Sequence, residues 1–216
     1  MTPKQLDRAL LFVDGNNWYH ALKSVGVTDL GQLNYAKVSK KLILNRQWVG
    51  TRYYVGQIQQ RGNTELYAAQ RKYMSWLLNR DPKMSVYYGR IESRQATNEA
   101  AKELREYLGT LRIRIDPLVY KSLQALAKRH EKSEYSVEKA VDVMLAVDMV
   151  ESATRDEYDT AFLLAADGDY TPAVEAVKNK GKRVLAASVA NGAELAKVVH
   201  SYIHLPSNWV NDCFGP

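Results

Sequence analysis

The chain has a single cysteine, Cys213, among its 216 residues, so no disulfide can form within it. That suits a reducing cytoplasm, and a cytoplasmic protein is expected. The four histidines, His20, His130, His200 and His204, share no ligand spacing, which with the missing cysteines points away from zinc. No Gly-rich loop leads into Lys-Ser or Lys-Thr, so a Walker-type nucleotide site is excluded as a motif. Only 6 prolines and 12 glycines are spread along the chain, with no Ser/Gly-rich stretch, single-charge run or internal repeat. Nothing therefore reads as a linker or a solenoid. The apolar run from Ala9 to Val13 is too short for a signal-peptide core or a bilayer span, so no membrane partner is expected.

What is present is ordinary globular composition, 46% hydrophobic and 25% charged, in a chain long enough to bury one real core. The net charge of +6 favours a polyanionic partner, although charge alone moves that expectation only modestly.

Ala9-Leu10-Leu11-Phe12-Val13 reads as a buried strand, closed by Asp14-Gly15-Asn16-Asn17. Helical patterns follow from Trp18 to Val25 and, capped by Asn34, to about Leu44. Residues 48–58 have strand composition, and Thr64 starts a helix to Asn79 that Asp81-Pro82 ends. Val86-Tyr87-Tyr88 reads as a short strand, residues 97 to about 107 as a helix, and residues 111–115 as a half-exposed strand. Ser136-Val137-Glu138-Lys139 opens a helix to about Ala153. Residues 160–165 form a second buried strand ending at Asp167-Gly168-Asp169. A helix from Thr171 to Asn179 stops at Gly181; a strand at 184–187 and a helix at 193–199 complete the chain. The alternation predicts an α/β fold with a mainly parallel sheet.

Two of the buried strands end in acid, Asp14 on one and Asp167 with Asp169 on the other. In an open parallel sheet both turns emerge on the carboxyl edge, where ligands bind. A third acidic group, Asp142 and Asp148, interrupts an apolar helix. A buried carboxylate is costly unless paired, hydrogen-bonded or metal-bound, and several on one edge repel each other. An oxygen-only set points to Mg²⁺ or Mn²⁺. Asp142 and Asp148 are six residues apart and do not share a helix face, so Asp142, nearer the helix start, is the better ligand and Asp148 the second choice. The plain alternative is that an Asp at a strand-to-helix turn is a helix N-cap, which Asp169 before Tyr170-Thr171-Pro172 could be. Asn17 is either a turn residue or one whose amide orients Asp14 or a phosphate.

Three blocks resemble the NYN family, the LabA-like branch of the PIN-like nucleases. Phe12-Val13-Asp14-Gly15-Asn16-Asn17 resembles its opening strand and Asp-Gly-x-Asn turn. The segment from Glu138 to Asp148 resembles its EKGVDV helix, and the segment from Asp159 to Pro172 resembles DxAxLxSGDGDFxP, followed by Gly181-Lys182-Arg183-Val184. The blocks stand in order and span nearly the whole chain. Ala140 replaces the usual glycine and Ala165-Ala166 the usual Ser-Gly, which removes a hydroxyl beside the site. The resemblance implies a Rossmann-like PIN-type three-layer sandwich, one domain over residues 1–216 with an insertion at about 92–133. It further implies a ribonuclease with Asp14, Asn17, Asp142, Asp167 and Asp169 catalytic and the four aspartates holding Mg²⁺ or Mn²⁺.

RNA is the partner so implied. From Lys37 to Arg61 there are six basic residues and no acid, with Trp48, Tyr53 and Tyr54 interleaved. Such a stretch either tracks a phosphate backbone and stacks bases or is core plus a solvated face. Residues 90–132 carry ten basic against six acidic residues. Arg90 and Arg94, following a strand, with Lys40, Lys41 and Arg52, are the candidate nucleic-acid contacts. The alternative function is a catalytically weak or inactive RNA-binding module, for which Ala165-Ala166 is the only support. A haloacid-dehalogenase-type phosphatase is set aside, because Asn16 stands where its second Asp is needed. Homodimerisation is open.

Overall fold

The apolar run after Arg8 forms β1 (Arg8–Asp14), every residue of which from Ala9 onward is buried. The structure, a computed structural model, describes residues 6–27, 30–58, 60 and 64–215, without the side chains of 92–97 and 132–139. Its elements then run α1 (Gly15–Ser24), α2 (Tyr35–Ile43), β2 (Gln47–Gln57), α3 (Thr64–Arg80), β3 (Met84–Thr97), α4 (Glu99–Thr110) and α5 (Pro117–Glu131). β4 (Lys132–Lys139), α6 (Val141–Thr154), β5 (Thr160–Leu164), α7 (Thr171–Asn179), β6 (Arg183–Ser188), α8 (Ala193–Ala196) and β7 (Ser201–His204) follow.

The chain divides into two compact units, residues 1–90 with 139–216, and residues 91–138. In the first, strands run parallel in the order β3-β2-β1-β5-β6-β7, the mainly parallel α/β sheet expected. Alternation along β1 decides which helices cover which face. Ala9, Leu11 and Val13 pack with Trp18 and Leu22 of α1, Val38 and Leu42 of α2, and Met74 and Leu77 of α3. Leu10 and Phe12 pack with Leu145 and Met149 of α6 and Val174 and Val177 of α7. Each fully buried Leu or Phe contributes roughly 1.5–3 kcal/mol, so β1 anchors both outer layers of the sandwich. The second unit holds the far end of β3, the helices α4 and α5, and β4, which lies next to β3.

Several local expectations change. Residues 111–115 are a turn between α4 and α5, not a strand, and Ile113 is 93% exposed. The helix α5 has a start signal in Asp116-Pro117: Asp116 accepts from the N–H groups of Leu118 and Val119, with proline at the first helical position. The helix expected to open at Ser136 begins at Val141 instead, because 132–139 are drawn into β4 and pairing beside β3 overrides helix propensity. β3 runs to Thr97, well past the short strand expected at 86–88. Among the described residues no helix is long and apolar enough to cross a membrane.

Candidate active site

From β1 the chain builds outward through β2 and β3, then crosses to β5 and builds the other way through β6 and β7. The reversal lies between β1 and β5, where an open α/β sheet leaves a crevice at its carboxyl edge. Val13 is in register with Leu164, so the two acidic turns leave neighbouring strands at the same level.

Asp14 ends β1 and is 3% exposed. Its Oδ1 accepts the N–H of Asn17 at 2.9 Å, making it the N-cap of α1. Gly15 permits this turn: a Cβ there would stand 2.6 Å from the Tyr53 ring and 2.7 Å from the Tyr54 carbonyl oxygen. The Tyr170 hydroxyl donates to Asp14 Oδ2 at 2.7 Å, and the same oxygen lies 3.1 Å from Oδ1 of Asp142 in the first turn of α6. One hydroxyl carries one proton, so it serves only one of the two carboxylates at a time. Burial pushes the Asp14 carboxyl above its ordinary range, and the charge of Asp142 adds to this, while the Asn17 N–H and the Tyr170 hydroxyl oppose it. Burial and the same two carboxylates push the Tyr170 phenol far up, which keeps it a donor.

Asn17 joins the two turns. Its side-chain oxygen accepts the Ala166 N–H at 3.0 Å, so its backbone serves Asp14 while its side chain fastens the loop after β5. In that loop Asp167 caps a short 3-10 turn (Gly168–Tyr170), accepting from the N–H of Asp169 at 3.0 Å. Asp169 itself is exposed, and the residue capping α7 is Tyr170 rather than Asp169. The turn carries Tyr170 back beneath Asp14. Sequence reading missed Tyr170; its only signal was an aromatic hydroxyl directly after the acidic turn.

The structure thus brings together Asp14, Asn17 and Asp142, with Asp167 and Asp169 on the adjoining loop. Among the described residues no three His, Cys, Asp or Glu side chains converge as a metal cage. The donors that do converge are all oxygen. Mg²⁺ characteristically takes one or two carboxylates and keeps several waters, and a cation would relieve the repulsion acting on Asp14. Asp14 and Asp142 fit such an ion.

The other candidates lie elsewhere. Asp148 accepts from the Tyr54 hydroxyl at 2.6 Å, with Arg52 3.7 Å away. Arg52 donates to Ser152 Oγ and to Glu157, both at 2.6 Å, so it is a half-buried ion-pair residue. Tyr53 and Tyr54 are buried core, and Trp48 packs partly against it. Lys41 donates to the Trp209 carbonyl and to Asp212. Lys40 is exposed in the last turn of α2, before β2 starts level with Arg8, at the opposite edge of the sheet from Asp14. Arg90 is exposed and in register with Gln57, three residues beyond the Tyr54 that pairs with Asp14, at the carboxyl edge. The Arg94 side chain and Arg61 lie outside the described residues.

No curated protein matches the chain. Among solved structures, VPA0982 from Vibrio parahaemolyticus, a protein of unknown function, is similar with a TM-score of 0.56 at 15% identity, over 94% of this chain and 95% of that one. At that identity the likeness is one of fold. A family model described as NYN domain, a PIN-like nuclease family, matches residues 8–206, from the first residue of β1 to beyond β7. The chain belongs to the NYN domain family.

Proposed function

We propose that the protein is a divalent-metal-dependent ribonuclease whose reaction takes place at the carboxyl edge between β1 and β5. The observation that carries this reading is the convergence of Asp14 and Asp142, from elements 128 residues apart by number, on one Tyr170 hydroxyl. Asp14 and Asp142 would hold the ion, and Asp167 and Asp169, on the loop after β5, would be the further carboxylates available to it. A bound Mg²⁺ or Mn²⁺ supplies an activated water and neutralises charge on the phosphate undergoing in-line displacement.

The chain's own residues do the rest. Asn17 fixes the distance between the two acidic turns, and the cap on α1 holds Asp14 in place. Arg90 meets the phosphate backbone approaching along the carboxyl edge, where the net positive charge of the molecule assists. Arg52 and Lys41 are already engaged by other groups of the chain, which makes them poorer candidates for that contact than Arg90. Cys213 is buried and free, which suits a cytoplasmic protein.

One observation favours a second reading, an RNA-binding module with little turnover: no three acidic side chains converge among the described residues. Incubation of labelled single-stranded RNA and DNA with Mg²⁺, Mn²⁺ or a chelator separates the two. The nuclease reading expects RNA cleavage that needs the ion. Cleavage that persists in chelator overturns the metal site, and RNA bound but uncut under every condition establishes the second reading.

A further inference from the structure

The Tyr170 hydroxyl does something no aspartate in the site does. It is a neutral donor, buried with its ring, set 2.7 Å from Asp14 Oδ2 and 3.1 Å from Asp142 Oδ1. The two carboxylates stand 128 residues apart in sequence and repel each other, and among the described residues no other hydrogen bond links them directly. Asp14 cannot turn away, because its other oxygen caps α1 through the Asn17 N–H. Tyr170 cannot withdraw, because its own backbone is at once the last residue of the turn capped by Asp167 and the N-cap of α7.

We propose that Tyr170 is a positioning residue that stands in for the cation, its one proton serving Asp14 and Asp142 in turn when the ion is absent and competing with the ion for their oxygens. This rests on the metal-dependent reading above. One phenolic proton, donated to Asp14 or to Asp142 but not to both at once, offsets less of their repulsion than a divalent charge, so the ion displaces it. The displacement nonetheless costs the site a hydrogen bond to a charged group, and the hydroxyl therefore sets how much free metal the site needs.

Substituting Tyr170→Phe keeps the buried ring and removes only the hydroxyl. Without it the metal-free pair is unrelieved, and the ion has nothing to displace. Titration of the full-length protein with Mn²⁺, followed by calorimetry or by paramagnetic resonance of the free ion, is expected to give binding about tenfold tighter in Y170F, the scale of one charge-assisted hydrogen bond. The metal-free variant melts lower than wild type, and saturating Mn²⁺ narrows the gap. In wild type, Mg²⁺ produces an ultraviolet difference signal in the tyrosine region, as the phenol loses its carboxylate partner, and Y170F lacks that signal. Weaker or equal Mn²⁺ binding by Y170F overturns the proposal, since the hydroxyl would then orient the ligands or leave them untouched. A wild-type protein that binds Mn²⁺ without any tyrosine signal also overturns it, and this needs no folded variant. Wild-type protein that binds no Mn²⁺ at all overturns the metal reading, and the proposal with it.

Discussion

At the amino end of β1, the Arg8 side chain donates to both oxygens of Asp159, at 3.1 and 2.8 Å, and its backbone N–H donates to the same carboxylate at 2.9 Å. These bonds, the Arg8 side chain foremost, hold the Asp159 carboxyl well below its ordinary value of 3.8. A carboxyl depressed in the folded state stabilises the fold above that ordinary value, and the contribution drains away as the pH falls through it toward the folded value. Asp159→Asn is therefore expected to melt below wild type at neutral pH, with the gap closing below about pH 3.8; melting curves across the acid range check this. Asp14, Asp142 and Asp167 were legible as single residues because each interrupts or ends an apolar run, where an acid needs a reason to be. Tyr170 was not. Its partners stand 156 and 28 residues away, and only the short turn capped by Asp167 aims it at them. The pairing of Arg52 was hidden for the complementary reason: in sequence it stands among aromatics and other bases, whereas β2 sets it against Ser152 and Glu157, 100 and 105 residues on.

At the scale of the element, two turns fix the acids. Ala140, just before α6, sits at φ 69°, a left-handed conformation that costs a residue with a Cβ roughly 1–2 kcal/mol. This explains physically why glycine suits the position in the pattern the segment resembles. Ala140→Gly relieves that strain but frees the unfolded chain, so the expected net gain is about 0.5–1 kcal/mol in urea unfolding, with the helix start and Asp142 unmoved. Gly15→Ala works the other way. Its Cβ would meet the Tyr53 ring and the Tyr54 carbonyl, and the expected loss is about 1–3 kcal/mol, together with displacement of Asp14. A variant as stable as wild type would show that the turn after β1 yields. Strands buried on both faces, β1 and β5, were legible because an apolar run closed by a turn has few other uses. β4 was not, since its strand state depends on β3, from which the helices α4 and α5 separate it in sequence, rather than on its own pattern.

Among the described side chains, the two units differ in how much apolar surface they bury. Between residues 91 and 138 the buried apolar side chains among those described are Ala101, Leu108 and Ala127. The sheet unit, by contrast, packs clusters on both faces of β1. Local opening follows buried apolar contact, so amides of α4 and α5 are expected to exchange roughly tenfold or more faster than those of β1 and β5, as read by hydrogen-exchange mass spectrometry. Equal protection would show that the second unit opens only with the first. The chain's net charge of +6 further predicts that RNA binding weakens steeply with salt and that Arg90→Ala lowers the slope of that dependence. The measurement that bears most directly on a carboxylate-centred ribonuclease is cleavage of a labelled single-stranded RNA with Mg²⁺ or Mn²⁺ by matched preparations of wild type, Asp14→Asn and Asp167→Asn. The expected result is ion-dependent cleavage by wild type that falls by at least about a hundredfold in both variants, the scale of losing a group that places charge at the reacting phosphate. Equal cleavage by all three proteins would contradict it.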